Sequence, residues 1–301
     1  MSRILVIRGG ALGDFILTLP AIRLLREGFP SASIEILGYE HIVRLAEMGG
    51  YAEAVRSIEY GPLSRFFRRD GSLPPELVDY FSGFEQVISY LFDPDQIFAR
   101  NLRRAGVRHL ITGSPKMNDQ EHAARQLARP LESLALYLQD PVARIQPNEK
   151  RKLDPELMAI HCSSGSESKN WPLDRFLSLS KALLQQSEGR RLLFVVGEAD
   201  HARWRELQPF LPADKIQLVD NLPLTALANL LQNCAGFVGH DSGISHLAAA
   251  VGVPSVLLFG PTDPAIWAPQ NAQVRVLRGP NRTMEEIGVR EVLDSLGELT
   301  S

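Results

Sequence analysis

The chain has 301 residues, 45% hydrophobic and 22% charged, the balance of an ordinary soluble globular protein with room for two domains. Its formal net charge of −3 argues against broad nucleic-acid binding, and no run of ~18 apolar residues is present to span a membrane. The two cysteines, Cys162 and Cys234, fall in apolar runs without zinc-ligand spacing, which predicts buried free thiols and a reducing compartment.

Short apolar runs alternate with helix-length amphipathic ones, the pattern of βαβ units on a parallel sheet. The first apolar run is broken by Arg8, three glycines and Asp14, so it reads as a strand and not as a signal peptide. Residues 4–7 are that strand and 15–27 the helix after it. Strands are then expected at 33–37 and 85–91, a helix at 96–105, and a closing strand at 107–112. Residues 113–150 begin with a helical pattern, and the polar, proline-marked stretch 139–152 reads as an interdomain linker.

The alternation then restarts. Strands are expected at 157–162, 191–196, 216–219, 236–238 and 255–259, with helices at 173–186, 201–209, 224–232 and 244–251. Residues 284–299 are amphipathic and read as a final helix. The fold class is therefore α/β, with domains over residues 1–150 and 151–301. Arg65-Phe66-Phe67-Arg68-Arg69 reads as a partly packed helix, with contact to a membrane surface or an anionic acceptor as the sharper alternative.

Two glycine-bearing strand-to-helix turns carry the chemistry. One is Gly239-His240-Asp241-Ser242-Gly243-Ile244-Ser245-His246-Leu247, where small residues leave first-turn N–H groups free to bind an anion. The other is Arg8-Gly9-Gly10-Ala11-Leu12-Gly13-Asp14. Two such turns suggest two nucleotide-fold domains facing one cleft, in an enzyme acting on a phosphorylated donor. Asp14 suits either a helix cap or a general base toward an acceptor hydroxyl. The turn is not G-x-G-x-x-G, so a dinucleotide fingerprint is weak.

The loop Ser163-Ser164-Gly165-Ser166-Glu167-Ser168-Lys169 is a candidate phosphate cradle, with Lys169 countering diphosphate charge, or else a solvated loop. Asp241 suits a cap or a sugar-hydroxyl ligand, His246 a packed helix residue or a catalytic group, and Glu198 a ribose ligand or a solvated acid. Asp93-Pro94-Asp95 reads as a helix start more readily than as a divalent-metal site.

Taken together, the motifs resemble those of the family-nine glycosyltransferases, the ADP-heptose:lipopolysaccharide heptosyltransferases. The resemblance rests on Gly10-Ala11-Leu12-Gly13-Asp14 with Leu19-Pro20-Ala21-Ile22, and on Lys169, Trp171 and Pro172. It is completed by Asp241-Ser242-Gly243 with Ser245-His246-Leu247, and by Phe259-Gly260-Pro261-Thr262-Asp263-Pro264. Cys162-Ser163 stands where members often have Pro-Gly.

The resemblance implies a GT-B fold: two Rossmann-like domains with parallel sheets facing an interdomain cleft, acceptor on the first and nucleotide-sugar on the second. In such folds the last helix can return to the first domain. It implies inverting, metal-independent transfer of heptose from ADP-heptose, with no cofactor beyond that co-substrate. Asp14 would be the general base, beside an acceptor-side loop at Gly10 and Gly13. Lys169, Ser163 and Ser164 would meet the donor phosphates, the amides of Ser242, Gly243 and Ile244 the diphosphate, and Asp241 the sugar. Glu198 and His246 complete the expected donor set. The acceptor would be a lipid-linked lipopolysaccharide core or other oligosaccharide, met in the cytoplasm or peripherally at the inner membrane. The other readings are a sugar-nucleotide epimerase of the same fold, a catalytically silent nucleotide-binding scaffold and, weakest, an NAD oxidoreductase.

Overall fold

The computed structural model describes residues 2–300. Its contacts divide the chain between Pro141 and Val142, inside the 139–152 stretch. The first unit runs β1 (Arg3–Arg8), α1 (Leu12–Gly28), β2 (Ser33–Gly38), α2 (Glu40–Met48), β3 (Ala54–Ser57), α3 (Pro75–Ser82), β4 (Gln86–Ser89), α4 (Ile97–Arg104), β5 (His109–Thr112) and α5 (Ala123–Ala128). Its strands form one parallel sheet in the order β3-β2-β1-β4-β5. Ile4, Leu5, Val6 and Ile7 are almost wholly buried, as a central parallel strand covered on both faces must be. Leu63, Phe66, Phe81, Phe98 and Leu102 fill one side of this core.

The second unit runs β6 (Asp154–Ile160), α6 (Leu173–Leu184), β7 (Arg191–Val196), α7 (His201–Leu207), β8 (Ile216–Asp220), α8 (Leu224–Leu231), β9 (Cys234–His240), α9 (Gly243–Ala250), β10 (Ser255–Phe259), α10 (Pro264–Trp267), β11 (Val274–Arg278) and α11 (Val289–Thr300). The sheet order is β11-β10-β9-β6-β7-β8, again parallel throughout. Trp171, fully buried, donates its indole N–H to the Ile287 carbonyl at 3.0 Å and stands edge-on to Phe176. The terminal helix α11 packs on α6 and across β9, β10 and β11, burying Val292 and Leu296 within this unit. Both cysteines are buried and unpaired.

Five elements have no counterpart among the expected ones: α2, β3, α3, α10 and β11. β3 and β11 are edge strands of four and five residues, each buried on little of its surface, so their apolar pattern is faint. α2 starts at Glu40, directly after β2, and its amphipathic spacing was obscured by the Gly38-Tyr39 strand end. The last helix begins at Val289, not 284, because residues Met284–Glu286 form a separate 3-10 turn.

The Arg65–Arg69 region is a 3-10 helix, Gly61–Phe67, followed by extended chain. Leu63 and Phe66 are its buried face, and Phe67 stacks on Phe98 with ring centroids 4.7 Å apart. The Asn101 side chain donates to the carbonyls of Phe66 and Arg68, fixing the segment to α4.

Candidate functional site

In open parallel sheets, ligands bind beyond the carboxyl ends of the strands where the winding reverses. In the first unit that point lies between β1 and β4. Gly9 and Gly10 leave β1 there, and Gly10 takes a left-handed φ of +97° that favours glycine. A Cβ on Gly10 would lie 3.0 Å from Asp14 Oδ2, so the turn is also the floor beneath that carboxylate.

Asp14 lies in the first turn of α1 but is not its N-cap, which is Ala11. Its Oδ2 accepts the Ala11 N–H at 3.1 Å, and Oδ1 stands 3.7 Å from an Arg8 Nη2. Gly13 occupies the same first turn. Arg8 is buried; its Nε donates to Thr18 Oγ1 at 3.0 Å and its Nη2 to the Asp14 carbonyl at 3.3 Å. A permanently charged guanidinium thus lies beneath a half-exposed carboxylate and holds it in place. A cavity of about 470 Å³ opens over Asp14, with Tyr39, Phe67 and Phe92 offering flat apolar faces.

The Asp93 and Asp95 carboxylates are turned to separate partners. Asp93 accepts the N–H groups of Phe98 and Ala99 and so caps α4, while Asp95 pairs with Arg69 at 3.1 Å. Among the described residues, no group of three or more His, Cys, Asp or Glu side chains is placed to hold a metal ion.

In the second unit the winding reverses between β6 and β9. The chain leaving β6 passes His161 and enters the serine-rich loop; the chain leaving β9 passes Asp241 and starts α9 at Gly243. Ser242 is the N-cap, its Oγ accepting the Ser245 N–H at 3.4 Å, and Ile244 follows in the half-buried first turn. Lys169 Nζ lies 2.7 Å from Asp241 Oδ2, an oxygen that also accepts the Thr262 hydroxyl at 2.8 Å. The structure therefore joins Lys169, Asp241 and the amino end of α9 in one place.

The other expected donor residues are distributed less simply. The Ser164 hydroxyl lies 2.9 Å from both the Ser166 carbonyl and Asn170 Oδ1, inside its own loop. The Ser163 hydroxyl is buried and bonds the Asp200 carboxylate. Glu198 is exposed at the start of a 3-10 turn, whereas His246 is buried within α9.

Sequence reading missed three groups here: His161, Asp200 and His240. It stopped at Glu198, the first acid after β7, although Asp200, two residues on, is the one that turns inward. Asp200 Oδ2 accepts from Gly197 N–H at 2.8 Å and lies 3.1 Å from His161 Nε2. Burial raises the pKa of this carboxyl, but the bonds from His161, Gly197 and Ser163 outweigh burial and bring it down to about 2. His240, fully buried, accepts the Trp171 N–H on Nε2 at 2.8 Å. Burial, the largest influence, pushes its pKa down to about 3, so the ring is neutral. Its Nδ1 points toward the Ser163 backbone without closing a hydrogen bond.

Two wholly parallel α/β units, each with its polar groups gathered at a winding reversal, define the GT-B class of two Rossmann-like units. A profile of glycosyltransferase family 9 (heptosyltransferase) matches residues 100–295, and the chain belongs to that family. It is 27% identical over 207 residues to lipopolysaccharide heptosyltransferase 2 of Salmonella typhimurium, covering 60% of this chain and 57% of that protein. It is 30% identical over 115 residues to lipooligosaccharide heptosyltransferase 2 of Haemophilus influenzae, covering 37% of this chain and 33% of that protein. Among solved structures, a family 9 glycosyl transferase from Veillonella parvula superposes with a TM-score of 0.81 at 20% identity, over 99% of this chain and 97% of that one. The E. coli ADP-heptose lps heptosyltransferase II gives 0.81 at 18% identity, over 100% and 98%. These structural likenesses establish the fold.

The two buried groups predict how acid destabilises the second unit. Unfolded His240 binds a proton from about 6.5 downward and folded His240 only near 3, so stability drops as pH drops through that window. Asp200 is depressed from 3.8 to about 2, so its contribution is whole above pH 4 and is lost as pH falls toward 2. Denaturant unfolding at pH 7, 5 and 3 should show His240→Gln flattening the upper part of this decline. Asp200→Asn, weaker by about 1–2 kcal/mol at pH 7, should flatten the lower part. Slopes identical to the parent protein in both variants would contradict these assignments.

Proposed function

We propose that the chain transfers a heptose from ADP-heptose to a hydroxyl of a lipopolysaccharide core acceptor, inverting the anomeric centre without a metal ion. The observation that carries this reading is the Lys169–Asp241 pair at 2.7 Å beside the amino end of α9. A cation next to unpaired first-turn N–H groups is suited to the charge that develops on a departing nucleoside diphosphate. Family membership, and the ADP-heptose named for the E. coli structural neighbour, support ADP-heptose as the donor.

In this mechanism the acceptor oxygen attacks the anomeric carbon as the bond to the diphosphate breaks, and Asp14 takes the hydroxyl proton. Arg8 and the Ala11 N–H hold the Asp14 carboxylate for that task. Lys169 and the α9 amides of Gly243 and Ile244 receive the leaving diphosphate, and Asp241 orients sugar hydroxyls once Lys169 turns to phosphate. Positive charge from these residues does the work that a divalent cation performs elsewhere.

No described helix is long and apolar enough to cross a membrane. If the acceptor is lipid-linked, the exposed Arg65, Phe67 and Arg68 beside the buried Phe66 are the surface suited to an anionic bilayer. Flotation with anionic vesicles should lose the Arg65→Glu/Arg68→Glu variant; equal flotation would remove that contact.

Transfer is tested by mass spectrometry of a heptose-deficient core acceptor incubated with ADP-heptose. Asp14→Ala should lower kcat by about 10²–10⁴ while leaving ADP affinity nearly unchanged. Lys169→Ala should lower both, with roughly 3–4 kcal/mol lost from the transition state. Near-normal turnover by Asp14→Ala would overturn the general-base role, and turnover of donor without acceptor would replace the transferase reading altogether.

A further inference from the structure

The buried chain Asp200–His161–Ser242 has no part in the mechanism above, yet it ends on the cap of the helix that receives the diphosphate. His161 continues β6 by donating its backbone N–H to the Val238 carbonyl at 2.9 Å, and its ring is buried. Nε2 lies 3.1 Å from Asp200 Oδ2, and Nδ1 lies 3.2 Å from Ser242 Oγ. These contacts stand at the ends of β6 and β9, where the winding reverses.

Counting protons fixes the roles. Asp200 is ionised and can only accept, so Nε2 carries a hydrogen. The Ser245 hydroxyl donates its one proton to the His240 carbonyl. In a neutral ring, Nδ1 is then an acceptor, and the Ser242 hydroxyl is held inward between it and Ser245 Oγ, each 3.2 Å away. That hydroxyl has one proton and cannot serve both Nδ1 and a phosphate oxygen. A protonated ring reverses the bond: Nδ1–H donates to Ser242 Oγ, and the Ser242 proton is released toward the amino end of α9.

We propose that His161 is a positioning residue for the donor, taking one proton from solvent as an anionic diphosphate binds and thereby turning the Ser242 hydroxyl onto a phosphate oxygen. The inference rests on the donor-site reading above. Only one proton moves: solvent gives it to Nδ1, Ser242 keeps its own, and Asp200 stays ionised opposite the new charge.

Other titratable and charged groups stand around His161. Asp200, from the turn after β7, is already ionised. His240, from β9, is kept neutral by burial. The adjacent Cys162 thiol is pushed up to about 11, chiefly by burial. Arg203, from α7, donates to the carbonyls of Cys162 and Trp171 and keeps its charge throughout. Lys169 is engaged by Asp241 on the far side of the cap.

The test is calorimetric titration with ADP between pH 6 and 8.5, in pairs of buffers with unlike ionisation enthalpies, on the parent protein and on His161→Gln. Glutamine keeps an amide donor for Asp200 but cannot charge. The parent should take up as much as one proton more per ADP than the variant, since proton changes on ADP itself are common to both. Between pH 6 and 8.5 its affinity should fall with rising pH more steeply than the variant's, by up to about tenfold per pH unit. Should His161→Gln not fold, the parent alone decides by NMR of its imidazoles: ADP should convert the His161 ring to imidazolium at a pH where it is otherwise neutral. Equal proton counts and equal pH profiles, or a His161 ring unmoved by saturating ADP, would overturn the proposal while leaving the donor site standing. Absence of any ADP binding would overturn the donor-site reading and this inference with it.

Discussion

Each half of this protein depends on the same constraint: a wholly parallel sheet wound outward from one central strand leaves a notch at the carboxyl ends of two adjacent strands. In the first unit the notch lies between β1 and β4, in the second between β6 and β9. Because β1 is buried along its length, its register with β2 and β4 is fixed, and the Gly9-Gly10 turn leaves it at a defined height. The β6–β9 pairing, with Ile160 against Val238, likewise ends where the His161 ring comes within 3.2 Å of the Ser242 hydroxyl, residues far apart in sequence. Apolar burial thus places the polar chemistry without contributing an atom to it.

Charge is handled differently in the two notches. The first puts a buried cation beneath an accessible carboxylate: Arg8 is paired through Thr18, the Asp14 carbonyl and the Asp14 side chain, and no other acid is needed to hold it. The second arranges charge in two layers. Lys169 and Asp241 form the outer pair, and Asp200 with His161 the inner one. Breaking the inner pair at one end would strand a buried group, and its members sit at a strand end and in a tight turn rather than in the exposed part of the serine-rich loop. The uncharged His240 beside them keeps the Trp171 backbone N–H satisfied and so anchors the loop that carries Lys169.

Much of this was legible in the chain. Glycine turns after apolar strands announced both notches, and Asp14, Lys169, Asp241 and Ser242 stand out by residue type and position, while the roles expected of them come from the family resemblance. The strands and helices of the central layers were readable because continuous burial leaves continuous apolar runs. β3 and β11 were not, since an edge strand half open to solvent keeps little pattern. Arg8, His161 and Asp200 were unreadable for another reason. Their roles arise from contacts across the sheet, and a buried arginine or histidine has the same letter as a solvated one. Ser163 shows the limit from the other side: a hydroxyl in a loop that reads as a phosphate cradle is spent on an internal carboxylate.

On this mechanism the second unit binds an adenosine diphosphate through protein charge alone. Calorimetric titration of the whole chain with ADP, UDP, GDP and NAD, each with and without EDTA, tests it directly. The expected result is selective binding of ADP that EDTA does not change. Preference for UDP or GDP would contradict the donor assignment, a requirement for divalent metal would contradict the electrostatic one, and binding of NAD alone would contradict both.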